Sequence, residues 1–164
     1  MPEEATIQKA REDEREGKSA STQAGEFVRE EFHHIREGKH GARSPRQAIA
    51  IGLSKARRAG VKLPPPVRGK ASGKVRRQAG RDYETGQDQP GKRPSPRRSR
   101  AVLGALKREG RQSATTSAIS SQTRAAARRR TPSQRSAAAR KAVRTKGTAR
   151  LSAAGKKAAR TRWG

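Results

Sequence analysis

The sequence predicts a small all-α protein, built as a helical hairpin with largely disordered basic extensions that carry short helices rich in Ala, Arg and Lys. Apolar residues recur at helical spacing most clearly between residues 21 and 61. Leu, Ile, Val and Phe together number 18 of the 164 residues. A highly charged chain is expected to be disordered when these four residue types make up less than roughly 20% of it, and this chain falls far below that share. The formal net charge is +27, and such a charge opposes compaction of the rest of the chain.

Shifts in composition divide the chain into four segments. Residues 1–20 form an acidic, highly charged N-terminal segment, and residues 21–61 form the two-helix unit. Residues 62–98 are a basic linker rich in Pro, Gly and Ser. Residues 99–164 form a basic, Ala-rich arm, which is predicted to be helical in short stretches and otherwise disordered.

The N-terminal segment predicts one short helix over residues 3–16. Glu3 and Glu4 are favourably placed at its positive N-terminal end, and Gly17 ends it. Ile7 is the only large apolar residue of this helix. We therefore expect the helix to be weakly held or transient.

The first helix of the hairpin is predicted to begin after Ser21 or Thr22 and to end near Glu37, before Gly38. Its side chains follow helical spacing, so the two Phe, the Val and the Ile share one face. The residues of this stripe are Ala24, Phe27, Val28, Glu31, Phe32 and Ile35.

The second helix of the hairpin has a clear start signal. Ser44 is the predicted N-cap, Pro45 the first helical residue and Gln47 the capping-box partner. Gly60 and Val61 predict a left-handed C-cap with its hydrophobic contact. The apolar face of the helix consists of Ala48, Ile49, Gly52, Leu53 and Ala56, and Gly52 lets the two helices approach closely. The charge border near Gly38 thus becomes the turn of the hairpin.

Beyond Pro66 the predicted elements are shorter. A weak helix is indicated near Lys74–Tyr83, and residues 87–98 are a linker by composition. Ser95-Pro96 is typical of a helix start, and the helix that follows is predicted to end at Gly110.

The C-terminal arm contains an internal repeat. Thr131-Pro132 predicts a helix start, and this helix is expected to end at Lys146-Gly147. Residues 136–147 and 152–163 align at an offset of 16, with 7 identities in 12 positions. We interpret them as two copies of one basic helical unit, although similar composition alone could produce some of this likeness.

Basic residues are distributed very unevenly along the chain. Residues 1–37 contain 6 Lys and Arg against 10 Asp and Glu, whereas residues 38–164 contain 35 against 4. A net charge of +31 on one segment repels itself, so the sequence predicts a dense polyanion as partner, and nucleic acid is the obvious one. The predicted phosphate contacts are Arg57, Arg58, Arg97, Arg98, Arg100, Arg128, Arg129, Arg130, Arg140, Lys141, Arg144, Lys146, Lys156, Lys157, Arg160 and Arg162.

Residues that could read base sequence are scarce. The chain has no Cys, which excludes Cys-ligated zinc fingers, and only four aromatic residues, which are scattered along it. We therefore predict sequence-independent binding to the phosphate backbone, of DNA before RNA. Two alternatives stay open. The protein could be an RNA- or ribosome-associated protein, or an adaptor whose residues 21–61 bind a protein partner while the basic arm localises it.

Catalysis, cofactors and membrane association are not predicted. No carboxylate pair lies in an apolar setting, and no phosphate-binding Gly-rich loop follows a strand. No apolar run reaches the roughly 18 residues of a membrane span, so we expect a soluble cytoplasmic protein. We also expect that it has no small-molecule substrate.

The three His residues, His33, His34 and His40, lie among glutamates. The Glu31/His34 pair has the i, i+3 spacing found in helical metal sites. A metal ion would need ligands from other helices, which offer few carboxylates and no further His. We therefore predict no metal site and expect the histidines to be exposed on the helix surface.

Two stretches resemble known proteins. Residues 18–66, including Glu26-Phe27-Val28-Arg29-Glu30-Glu31, His33-His34-Ile35 and the block from Gln47 to Leu53, are similar to a family of small basic bacterial proteins of unknown function. The resemblance implies a bacterial source but no activity or site residues. In composition, the arm is similar to linker-histone tails and bacterial histone-like proteins, which would place the protein in the nucleoid.

Overall fold

The computed structural model describes residues 2–90 and 95–163 and confirms a small all-α protein. Within these residues it contains seven α-helices and one 3₁₀ turn but no strand. The helices are α1 (Glu4–Arg15), α2 (Ala20–Arg36), α3 (Pro45–Arg58), α4 (Gly73–Asp88), α5 (Pro96–Lys107), α6 (Thr116–Arg128) and α7 (Pro132–Trp163), and the 3₁₀ turn is Gln112–Ala114. The chain divides into two compact units, residues 1–122 and 123–164. None of the described helices combines the length and apolar character that a bilayer span requires.

Helix α1 is packed against α2, which differs from the expectation of a weakly held helix. The contact uses small and polar residues: Ala10 and Asp13 are buried, and Ile7 packs beside Phe27. Gly17 has a φ of +71° and ends the helix as predicted. Because small and polar residues make this contact, the scarcity of large apolar residues in the sequence of α1 does not reveal it.

Helices α2 and α3 form the predicted antiparallel hairpin. Phe27 in the middle of α2 packs with Ala56 near the end of α3, and Ile35 near the end of α2 packs with Ala48 near the start of α3. Two apolar clusters result. The Phe27 cluster contains Ala10, Ala24, Phe27, Ala56 and Val61, and the Ile35 cluster contains Ile35, Ala42, Ala48 and Ala114.

The caps of α3 follow the sequence signals closely. The hydroxyl of Ser44 accepts the backbone N–H of Gln47 at 3.3 Å, and the side-chain oxygen of Gln47 accepts the backbone N–H of Arg43 at 3.0 Å. Gly60 adopts a φ of +98°, and Val61 is buried in the Phe27 cluster. The cap of α2 lies slightly earlier than predicted, at Ser19.

Gly52 lets α3 approach the backbone of α2 closely, as predicted. A Cβ atom at this position would lie 2.7 Å from the Cα atom of Val28 and 3.0 Å from the carbonyl oxygen of Phe27. Both neighbours are backbone atoms, so an added methyl group can be accommodated only by moving the helices apart.

We therefore expect Gly52→Ala to lower the free energy of unfolding by about 1–3 kcal/mol, the usual cost of overpacking. Gly25→Ala is the matched control, because a Cβ on this α2 residue meets no atom within 4 Å. That variant should be neutral or stabilised by about 0.5–1 kcal/mol, since Ala is the better helix former. Urea unfolding measures both effects. Equal stability of the two variants would contradict the close approach.

Helix α4 is longer and better anchored than the weak helix predicted inside the linker. It packs against α3 through Ala79, Asp82 and Gly86, all of which are buried. The carboxylate of Asp82 accepts the Ser54 hydroxyl at 2.7 Å, and a Cβ on Gly86 would overlap the carbonyl oxygen of Arg57. Part of the segment predicted to be a basic linker therefore belongs to the folded unit.

The end of α5 and the 3₁₀ turn contact the turn of the hairpin. The N–H groups of Gly41 and Ala42 donate to the carbonyl oxygens of Leu106 (2.9 Å) and Gly110 (3.1 Å). The Arg36 guanidinium donates to the carbonyl oxygen of Ala114 at 3.0 Å. Ser95 caps α5 as predicted, by accepting the N–H of Arg98 at 3.4 Å. The first part of the predicted arm is thus folded onto the hairpin.

The second unit contains the end of α6 and all of α7. The hydroxyl of Thr131 accepts the N–H of Gln134, whose side-chain oxygen in turn accepts the N–H of Thr131, so the predicted start of α7 is confirmed. Gly147 has non-helical angles (φ 72°, ψ 159°) and interrupts α7 at the predicted position. The helices rich in Ala, Arg and Lys that were predicted for this arm are therefore present. Ala, Arg and Lys have high helix propensity, which explains helix formation with no described side chain of α7 buried.

Candidate functional site

A group of charged side chains lies within the buried face of the hairpin. Glu31 occupies the middle of the α2 stripe, one helical turn after Phe27 and one turn before Ile35, and its side chain is 0% exposed. The surrounding charged group, here called the Glu/His cluster, consists of Glu30, Glu31, His34, His40 and Lys55. Charged groups in such a position need partners, because burial of an unpaired charge is costly.

Two carboxylates of the Glu/His cluster share one ammonium group. Lys55 Nζ lies 2.7 Å from Glu31 Oε2 and 3.4 Å from Glu30 Oε1. The carboxylate of Glu30 is 3% exposed, so both acids are removed from water. Lys55 alone therefore cannot neutralise the pair.

His34 and His40 complete the Glu/His cluster. His40 Nε2 lies 3.3 Å from Glu31 Oε1, and His40 Nδ1 is within 3.1 Å of the carbonyl oxygen of Gly41. His34 Nδ1 lies 3.8 Å from Glu30 Oε1, and the two rings meet edge to face with their centroids 6.1 Å apart. The expectation of exposed histidines is wrong for both residues, because α1 and the turn after α2 cover this face. It holds for His33, which is exposed and pairs with Glu37.

Glu3, the N-cap residue of α1, lies at the rim of the Glu/His cluster. Its Oε1 is 2.8 Å from His34 Nε2 and 3.0 Å from Lys39 Nζ, and its backbone N–H donates to Glu30 Oε2 at 3.2 Å. The hydrogen bond with His34, assisted by the one with Lys39, lowers the pKa of Glu3 to about 2. The start of α1 is thus fixed to α2 by polar contacts.

Comparison with known proteins gives a partial match. Residues 15–66 match a family of unknown function (DUF6496). This confirms the resemblance seen in the sequence, and the matched stretch contains the complete Glu/His cluster. No curated protein and no solved structure matches the chain.

Sequence reasoning could find only part of the Glu/His cluster. The Glu31/His34 spacing was visible, and Glu31 fell on the apolar stripe of α2, which was the available signal that this acid is buried. The contributions of Glu3 and Lys55 depend on packing between residues that are more than twenty positions from their partners. No local pattern predicts such contacts.

Among the predicted phosphate contacts, Arg57 is placed in the interior. Its guanidinium donates to the backbone carbonyl oxygens of Leu63 (3.0 Å) and Pro64 (3.3 Å), and the residue is 6% exposed. Burial lowers the pKa of Arg57, and the charge of Asp82 partly opposes this shift. Arg57 holds the chain after α3 in place and is no longer a candidate for contact with nucleic acid. Arg58, which is partly buried, lies 3.6 Å from Asp82.

The remaining predicted contacts lie on α5 and in the second unit. Those with described side chains are exposed: Arg97, Arg98, Arg100, Arg128, Arg129, Arg130, Arg140, Lys141, Arg144, Lys156 and Arg160. The side chains of Lys146, Lys157 and Arg162 lie outside the description. Exposure makes the described guanidinium and ammonium groups accessible to a large anion.

Proposed function

We propose that this protein binds nucleic acid, duplex DNA in the first instance, through the phosphate backbone and without regard to sequence. Its role would be that of a histone-like, nucleoid-associated binding protein, with no catalytic step. The observation that carries the proposal is the composition of the second unit. Residues 123–164 contain 14 Lys and Arg and no Asp or Glu, so this unit has no acidic side chain of its own to neutralise it.

The two units differ strongly in charge density. Residues 1–122 contain 27 basic and 14 acidic residues, a net charge of +13 on a unit almost three times as long as the second one. Many of these charges are engaged in ion pairs, such as Lys18 with Asp13 and Lys62 with Glu14. The second unit therefore supplies the concentrated positive charge that attracts phosphate.

The helical conformation of α7 arranges its basic side chains in groups. At 100° per residue, Arg140, Lys141 and Arg144 fall within about 100° of one another around the helix axis. Lys156 and Arg160 stand one turn apart in the second half of the helix. Like charges at this spacing weaken an isolated helix slightly, and contact with phosphates removes that cost.

Salt dependence gives the direct test of this function. If 8–10 phosphates are neutralised, the affinity for duplex DNA should fall with increasing salt along a log–log slope of roughly −7 to −9. Fluorescence anisotropy with labelled 30-mer duplexes of two unrelated sequences measures both slope and sequence preference. Similar affinities for the two duplexes are expected. An affinity that changes little between low and high salt would overturn the proposal.

The same titration separates DNA from RNA as the preferred partner. Duplex DNA, duplex RNA and single strands of equal length are compared at one salt concentration. We expect the protein to bind duplex DNA at least as tightly as it binds duplex RNA or single strands. Clear preference for RNA would instead favour an RNA- or ribosome-associated protein.

A further inference from the structure

We propose that Glu31, His34 and His40 form a binding site for one divalent first-row transition-metal ion of the Zn²⁺ type. One potential ligand atom from each residue lies within 4.8 Å of the other two. Two imidazoles and one carboxylate are a donor set that suits zinc and the neighbouring transition metals. Three protein ligands also leave a position open for water or for an external ligand.

The state of Glu31 is an independent sign that a cation belongs here. The residue is fully buried, and its Oε1 accepts no hydrogen bond from the described residues, whereas Oε2 lies 2.7 Å from Lys55 Nζ. Its two close neighbours are charge partners, Lys55 on the Oε2 side and His40 on the Oε1 side. A dication bound at Oε1 would complete the coordination of this carboxylate while Lys55 keeps the other oxygen.

The balance of charge in the Glu/His cluster points the same way. Glu30 and Glu31 are both buried and share the ammonium group of Lys55, and Glu3 and Glu37 share the ammonium group of Lys39. Four carboxylates thus face two ammonium groups. A dication among them is stabilised by the negative charge that Lys55 and Lys39 leave uncompensated.

The surroundings of the two histidines fit metal ligands. His40 Nδ1 faces the carbonyl oxygen of Gly41 at 3.1 Å, an arrangement that fixes the ring and leaves Nε2 directed at Glu31. Glu3 Oε1 lies 2.8 Å from His34 Nε2. This carboxylate can orient the His34 ring, or it can leave Nε2 when a metal ion binds there. An open cleft borders His40, and it is lined by Gly38, His40, Gly41, Lys107, Glu109, Gly110, Arg111 and Gln112.

Metal titration of the full-length protein tests the site. The chain is freed of metal with EDTA, transferred to chelator-free buffer near pH 7.5, and titrated with Zn²⁺ in a calorimeter and with Co²⁺ by visible absorption. We expect saturation at one ion per chain. His34→Gln and His40→Gln should each weaken binding by about 100-fold or more, because each removes a ligand. His33→Gln is the matched control and should change the affinity less than twofold, since this exposed residue lies outside the donor set.

Circular dichroism and urea unfolding without metal establish that each variant is folded. Should a ligand variant fail to fold, the Co²⁺ spectrum of the unaltered chain still decides the matter, because a four- or five-coordinate site in the protein gives intense visible bands that octahedral hexaaqua cobalt lacks. Absence of saturable binding to the folded chain would overturn the proposal and leave the cluster as an ion-pair network. Equal loss on His33→Gln would overturn it as well. Neither result depends on whether the protein binds DNA.

Discussion

Removal of residues 123–164 is expected to weaken binding to duplex DNA by roughly 10³-fold at about 0.1 M salt. The deleted unit carries 14 basic residues and no acidic ones, whereas the retained unit has 27 basic residues and 14 acidic residues. Binding to phosphate is driven by the release of counterions, so a chain that neutralises fewer phosphates has both a lower affinity and a shallower salt slope. Anisotropy titrations on the same duplex measure both quantities.

Two triple variants of the full chain serve as charge-matched controls. Replacement of Arg128, Arg129 and Arg130 by Gln should reduce the magnitude of the salt slope by roughly 2.7, because each phosphate that is no longer neutralised lowers it by about 0.9. The control variant replaces Lys9, Arg11 and Arg29 by Gln. It changes the net charge by the same amount, but its substitutions lie on the acid-rich helices α1 and α2. Its slope should change by less than about 1. Equal effects of the two triples would show that net charge, and not the second unit, determines binding.

Lys55→Met is expected to lower the free energy of unfolding of the metal-free protein by about 3–5 kcal/mol. The ammonium group is the close cation for both Glu30 and Glu31, whose carboxylates are 3% and 0% exposed. Met fills a similar volume, so the destabilisation reflects charge and not packing. Urea unfolding in the presence of EDTA, followed by circular dichroism, measures the change.

Lys62→Met provides the control for this variant. Lys62 also pairs with a glutamate, Glu14 at 3.2 Å, but its side chain is 71% exposed and that of Glu14 is 52% exposed. An ion pair in water contributes about 0–1 kcal/mol, so this variant should be almost as stable as the parent. Similar destabilisation by Lys55→Met and Lys62→Met would contradict the description of Glu30 and Glu31 as buried charges dependent on Lys55.

Elements with local signals could be predicted from the sequence with good accuracy. The start of α3 is specified by Ser44, Pro45 and Gln47, which act on one another within four residues, and its end by the left-handed Gly60. The pairing of α2 with α3 followed from the apolar stripe and from Gly52. These features depend on backbone geometry and periodicity, which short stretches of sequence encode.

Contacts between distant polar residues could not be predicted. The burial of His34 requires Glu3 from the start of α1, and that of Asp82 in α4 requires Ser54 from α3. Arg57 looked like a phosphate contact because its sequence neighbours are basic, yet backbone carbonyl oxygens bind its guanidinium. Charge in a sequence shows how much positive potential a chain has, but only the fold shows which residues present it.

The interruption at Gly147 has a kinetic consequence for the proposed binding to DNA. An unbroken helix of 32 residues would be a rod of about 48 Å, whereas the break leaves two rods of roughly 22 and 24 Å. In the proposed complex with DNA, each rod would hold only part of the phosphate contacts, so one rod could detach while the other keeps the chain in place, and reattachment would then be intramolecular. A second duplex can capture the detached rod first. The protein would then pass from one DNA molecule to another without becoming free, and its residence time would shorten as competing DNA is added.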